Sequence, residues 1–120
     1  MLKKLSEDFT LWAIFCFFCF VFSLDPTKGS EIAKTRPCVV VSPRELNDHL
    51  NTVVIVPLTS TLRNYPFRVQ CVVAEKKGEL AIDQIRTVDK TRLDTSNAIG
   101  RLSTNETIAL QSLIHEMLCQ

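Results

Sequence analysis

Arginine, hydroxyl and carboxylate side chains gather at three places in this chain. Glu31 and Arg36 flank one polar stretch, Thr59 and Ser60 follow an apolar run, and Asp83, Gln84 and Arg86 lie together further on. Each place is a boundary between an apolar, strand-like run and a loop. Strand ends of one sheet can converge on a common groove, and guanidinium and hydroxyl donors there can hold a phosphate. A structural reading competes with this one: Arg36 and Arg86 as sheet-rim ion pairs with acidic neighbours. Other catalytic sets are missing. His49 and His115 are the 2 histidines, one in a loop and one on the terminal helix, and both read as surface residues. There is no His-x-x-x-His pair for a zinc hydrolase. Neither a Gly-x-Ser-x-Gly elbow nor a phosphate-binding Walker loop is present.

The elements that must position these groups follow from the apolar pattern. Pro37–Ser42 and Thr52–Leu58 are β-branched runs that read as buried strands. Asp25–Arg36, with Pro26 and Gly29, reads as the loop before the first of them. Ser42-Pro43-Arg44-Glu45 offers a capping residue, a proline at the first helical position and a glutamate behind it, which predicts a helical turn through about His49. Phe67–Ala74 alternates in part, because Arg68 and Gln70 oppose Phe67, Val69 and Cys71. Glu75-Lys76-Lys77-Gly78 then predicts a hairpin turn. Glu79–Asp83 and Gln84–Val88 continue the sheet with a bend, and Lys90–Ala98 reads as a loop. Ser103-Thr104-Asn105-Glu106 is a capping box, and Leu110, Leu113, Ile114, Met117 and Leu118 mark one helical face behind it. Many short strands closed by one helix suggest a small, strongly bent sheet or half-open barrel.

Bulk properties add limits. With 120 residues, 46% hydrophobic and 22% charged, the chain suits one globular domain and excludes a disordered one. Net charge is +1, so no global field advertises nucleic acid or membrane. The 5 cysteines, Cys16, Cys19, Cys38, Cys71 and Cys119, are odd in number and lack a disulfide spacing, which suits a reducing cytoplasm. Cys16-Phe-Phe-Cys19 lies in an apolar run and has no second ligand pair, so neither a metal nor another cofactor is expected.

The N-terminus is oily. Leu11–Phe22 is apolar throughout, after Lys3, Lys4, Glu7 and Asp8. It is short for a spanning helix, and no small-residue cleavage site follows. Three readings stay open: a buried strand with an adventitious leader, a membrane or signal segment, and the product of a shifted reading frame. The division expected is a hydrophobic leader over residues 1–19 and a folded domain over residues 20–120.

Five blocks of residues together resemble the MazF/PemK (Kid) toxin family. They are Leu24-Asp25-Pro26-Thr27-Lys28-Gly29-Ser30-Glu31, Thr35-Arg36-Pro37 through Pro43, Val56-Pro57-Leu58-Thr59-Ser60, Tyr65-Pro66-Phe67, and Asp83 through Lys90. Ile99-Gly100-Arg101-Leu102-Ser103 resembles the family's ending. The resemblance runs from about Phe20 to the C-terminus, in order and at the family's spacing.

That resemblance implies a mainly β fold with a C-terminal helix, an SH3-like small and strongly twisted β-barrel. It implies a homodimer that binds single-stranded RNA (mRNA) in a groove across the dimer interface. The implied activity is that of a metal-independent, sequence-selective endoribonuclease, the toxin half of a toxin–antitoxin pair. A cognate antitoxin would fill the groove, and the antitoxin complex would bind operator DNA. Carried over by position, Arg36, Thr59 and Glu31 become the catalytic residues. Ser60, Asp83, Gln84, Arg86, Lys28, Tyr65 and Phe67 become RNA-binding residues. One branch of the family has an arginine where this chain has Ala81, and that branch's acid–base assignment does not carry over.

The chemistry such a site performs is self-cleavage of RNA. The 2′-hydroxyl attacks the adjacent phosphorus, giving a 2′,3′-cyclic phosphate and a 5′-hydroxyl. Arg36 would neutralise the added charge and Thr59 would donate a hydrogen bond. Glu31 is a candidate base, because a guanidinium pKa lies above about 12. Where the family opens its first strand with Gly and an acidic residue, this chain has Phe17 and Phe18. That departure leaves a second functional reading, a catalytically impaired relative that binds antitoxin and, through it, DNA. A membrane-anchored small protein is the third reading.

Overall fold

The computed structural model describes residues 16–94 and 97–119. The expected leader lies outside the described residues up to position 15, as does part of the loop expected over Lys90–Ala98. Strands β1 (Phe18–Ser23), β2 (Thr35–Val40), β3 (Thr52–Thr59), β4 (Arg68–Val73), β5 (Lys76–Ala81), β6 (Arg86–Asp89) and β7 (Gly100–Arg101) form one 7-stranded sheet. Its order is β4-β5-β3-β2-β1-β7, and β6 lies off that path, paired with the first half of β3. Every strand pairing among the described residues is antiparallel. A short helix α1 (Arg44–Asn47) joins β2 to β3, 3-10 turns cover Ile82–Gln84 and Lys90–Arg92, and helix α2 (Thr104–Leu118) ends the chain.

The central strands are apolar on both faces, and that explains their unbroken runs. One face carries Cys19, Val39, Val56 and Leu58, which pack with β4, β5, Leu102 and Leu110 of α2. The other carries Phe20, Phe22, Leu24, Cys38, Val40, Val53 and Ile55, covered by Val88 of β6. The sheet curls until its edges approach. A Cβ built on Gly100 of β7 would stand 2.9 Å from a γ-carbon of Val73 on β4. The molecule is therefore a nearly closed barrel with one long helix, in line with the expected architecture.

The structure corrects several expectations. The first strand begins at Phe18, so Phe18 and Cys19 are part of the folded sheet. Arg36 lies inside β2, not at the end of a loop. Ser42 does not cap α1; Pro43 holds the N-cap position without a side-chain bond. The Ser42 hydroxyl instead donates to Asn47 Oδ1 at 2.6 Å and accepts from the Val54 amide at 3.0 Å. Asn47 is fully buried, and satisfying its amide outweighs one exposed cap. The β4–β5 turn falls at Ala74-Glu75, with φ of 52° and 65°, and Lys76, Lys77 and Gly78 belong to β5. Gly78 lies in the strand, paired with Cys71, where a side chain would press on Leu58, at 3.1 Å. In α2, Leu110 is buried and Leu113, Ile114 and Met117 pack on the core, whereas Leu118 is exposed.

Candidate active site

Ladder register brings the first two candidates together. Cys38 pairs with Pro57, Val39 with Val56 and Val40 with Ile55. The ladder ends at Cys38 and Pro57, and the same register carried two steps further would set Arg36 level with Thr59. Even spacing keeps both on the face that carries Cys38 and Pro57, because paired residues share a side of the sheet. Arg86 joins that face through β6, since it pairs with Ile55. Burial and then Cys19 push the Cys38 thiol well up, while Arg86 and Arg36 pull the other way.

Those two arginines are not rim ion pairs. Among the described residues neither pairs with a carboxylate; the ion pairs belong to Arg44 and Arg68. Arg36 is half-buried and fixed at its base, where Nε donates to the Ala33 carbonyl at 3.1 Å. The outer edge of its fork points to no protein acceptor among the described bonds. Thr59 ends β3 half-buried, and its Oγ1 accepts from the Thr61 amide at 3.1 Å. A hydroxyl that accepts from the backbone keeps its own proton to give elsewhere.

The β1–β2 loop supplies the next group. Gly29, at φ 57°, lets the chain double back between Lys28 and Glu31. Glu31 Oε1 accepts from the Lys28 amide at 2.6 Å, and the Glu31 amide donates to the Lys28 carbonyl at 3.1 Å. Glu31 is thus exposed and bonded within its own turn, not to Arg36 or Thr59. Gln84 ties this loop to the 3-10 turn, accepting from the Ile32 amide at 3.3 Å. Lys28 and Ser60 are exposed.

The remaining candidates are engaged elsewhere. Asp83 is clamped by Arg68, with Nε to Oδ1 at 2.7 Å and Nη2 to Oδ2 at 3.1 Å. The Arg68 fork holds the Asp83 carboxyl below its ordinary range. Phe67 is half-buried and packs on the core. Tyr65 is 51% exposed, and its ring lies under two guanidinium carbons, Arg68 at 5.2 Å and Arg63 at 5.9 Å. Arg68 and Glu79 were not among the sequence candidates. A glutamate inside the apolar run Gly78–Ile82 was the one signal that could have marked them.

Residues 19–118 match the family model described as the PemK-like, MazF-like toxin of type II toxin-antitoxin systems. The endoribonuclease toxin MazF of Escherichia coli K12 is 41% identical over 64 residues, covering 53% of this chain and 58% of that protein. The chain thus matches little more than half the length of this curated relative. The crystal structure of MazF from Deinococcus radiodurans is similar with a TM-score of 0.79 at 19% identity, covering 90% of this chain and 98% of that one. An endoribonuclease solved in complex with its cognate antitoxin, from a mycobacterial species, gives 0.72 at 22% identity, covering 88% and 95%.

Proposed function

This chain belongs to the PemK/MazF toxin family, and from that premise we propose that it is a metal-independent, sequence-selective endoribonuclease that cleaves single-stranded RNA. One observation carries the reading: Arg36 has no carboxylate partner among the described residues, and the β2–β3 register, extended two steps past Cys38 and Pro57, puts it on the same face as Thr59.

In the proposed reaction the ribose 2′-oxygen forms a bond to the adjacent phosphorus and the bond to the 5′-oxygen breaks. The 2′-hydroxyl proton goes to Glu31, once its carboxylate leaves the Lys28 amide. The departing 5′-oxygen takes a proton from solvent water as it becomes a hydroxyl. Arg36 holds two nonbridging oxygens with its outer fork and neutralises the charge that builds in the phosphorane. Thr59 donates a hydrogen bond from its hydroxyl to one of them. Arg86 adds a second positive charge on the same face. Lys28, Ser60, Gln84 and Tyr65 line the path of the strand, and an exposed tyrosine suits base stacking. Asp83 and Phe67 shape the groove from behind. A homodimer, a cognate antitoxin that blocks the groove, and operator DNA bound through the antitoxin complex belong to the same proposal.

The test is a cleavage assay on single-stranded RNA in EDTA, with the ends mapped. Fragments should carry a 2′,3′-cyclic phosphate and a 5′-hydroxyl, and Arg36→Ala should abolish them. Cleavage that survives this substitution removes the assignment. Antitoxin binding with no cleavage of any RNA selects the impaired binding module instead.

A further inference from the structure

Glu79 is a carboxylate with no exposed surface, on the buried half of β5. It pairs with Thr59 across β3–β5 and with Gln70 across β4–β5. Its two oxygens are fully used. Oε1 accepts from the Arg63 amide at 3.2 Å and from Arg68 Nη1 at 3.1 Å, and Oε2 accepts from the Asn64 amide at 2.8 Å. The chain that leaves Thr59 therefore doubles back and hangs two successive amides on the residue opposite Thr59. Asn64 takes φ 57° to present them, a conformation asparagine tolerates better than most side chains.

Arg68 extends the anchor. One guanidinium bridges Glu79 and Asp83, and Asp83 begins the segment that continues into Gln84 and reaches the Ile32 amide. The same guanidinium supports the ring of Tyr65. Every buried polar side-chain atom among the described residues has a partner, so the cluster is closed. A buried charge is costly unless paired and hydrogen-bonded, and here it is both. Desolvation raises the Glu79 carboxyl, but the Asn64 and Arg63 amides and Arg68 outweigh it and hold the group ionised.

What the anchor holds matters for an incoming strand. Ser60, Leu62 and Tyr65 are exposed on the held loop, immediately beyond Thr59. A base next to the scissile phosphate would meet them first. Resting on the nuclease reading above, we propose that Glu79 is a positioning residue: its carboxylate fixes the loop from Thr59 to Phe67 and, through Arg68 and Asp83, the 3-10 turn, and so sets which RNA sequence is cut.

Glu79→Gln tests this, because it keeps the shape but leaves one acceptor oxygen for three donors. Hydrogen exchange at the Arg63 and Asn64 amides needs no activity and should quicken by roughly tenfold or more relative to the Val69 amide on β4. Against RNA, kcat/KM at the preferred sequence should fall on the order of 10²-fold, the cost of a small misplacement. Sites differing by one base should fall less, so that discrimination narrows. Arg68→Lys keeps the charge and loses the fork, and should move both readouts the same way by a smaller factor. It decides the matter if Glu79→Gln does not fold. Protected amides with an unchanged cleavage pattern overturn the proposal, and so does an equal fractional loss on every RNA. A wild-type protein that cuts no RNA would sink the nuclease reading, and with it the claim on sequence choice; the exchange data would still decide whether Glu79 anchors the loop.

Discussion

A guanidinium serves a reacting phosphate only when its fork is not already filled. Arg36 and Arg68 are the same residue type in opposite conditions. Arg36 gives Nε to a backbone carbonyl and keeps its outer edge open, whereas Arg68 spends all three nitrogens on Asp83 and Glu79. The two halves of the Arg68 cluster are unequal. The Asp83 side chain is 41% exposed and its pair is screened by water, while Glu79 is fully enclosed. Arg68→Met therefore harms mainly through Glu79, and should lower unfolding free energy at neutral pH by about 3 kcal/mol. Both carboxyls are held below their ordinary values in the folded state. The unfolded chain then binds protons first as pH falls. The stabilisation is whole above the ordinary carboxylate range, near about pH 4, and is lost as pH drops through the lowered folded values. Urea midpoints measured across that range should fall in the wild type and change less in Arg68→Met. The sequence marked Arg36 and Asp83 alike as chemistry; only the partner each side chain found separated them.

At the scale of elements, short-range rules held for the helix and failed for the hairpin. Ser103 and Glu106 cap each other's backbone amides as their spacing predicted. The second oxygen of Glu106 also accepts from the Val72 amide at 2.9 Å, which seals part of the β4 edge. The β4–β5 turn shows the opposite outcome. Glycine draws a turn assignment to itself, but Gly78 is placed by Leu58 across the sheet, and the turn falls to Ala74 and Glu75. Both central residues have positive φ, as a two-residue hairpin requires, and neither residue type favours it. Replacing Ala74-Glu75 by Asn-Gly should stabilise the protein by about 1 kcal/mol, read as a raised urea midpoint at constant m-value. A lowered midpoint would count against this account of the turn.

For the molecule as a whole, the critical contact is where the curled sheet meets itself. Gly100 of β7 faces Val73 of β4, and Val73 is buried and β-branched, so it has little room to turn away. Gly100→Ala should cost about 1–3 kcal/mol by overpacking. The double variant with Val73→Ala should recover part of that loss, which a double-mutant cycle on thermal or urea unfolding would read. Additive losses would show that the two edges do not press on each other. Among the described residues no helix is long and apolar enough to cross a membrane.

By itself, the sequence determined most of the strands, the closing helix and the family, because these follow from local pattern. Central strands buried on both faces must read as continuous apolar runs, and a capped helix must declare its start. It also put Arg36, Thr59 and Arg86 at strand ends. The tertiary structure alone decided which charges are open and which are closed. Arg68 meets Glu79 and Asp83 from 11 and 15 residues away, through the register of a hairpin and the turn that follows it. Side-chain facing repeats every second residue and is visible locally, whereas a cross-strand partner depends on a register that long-range packing selects.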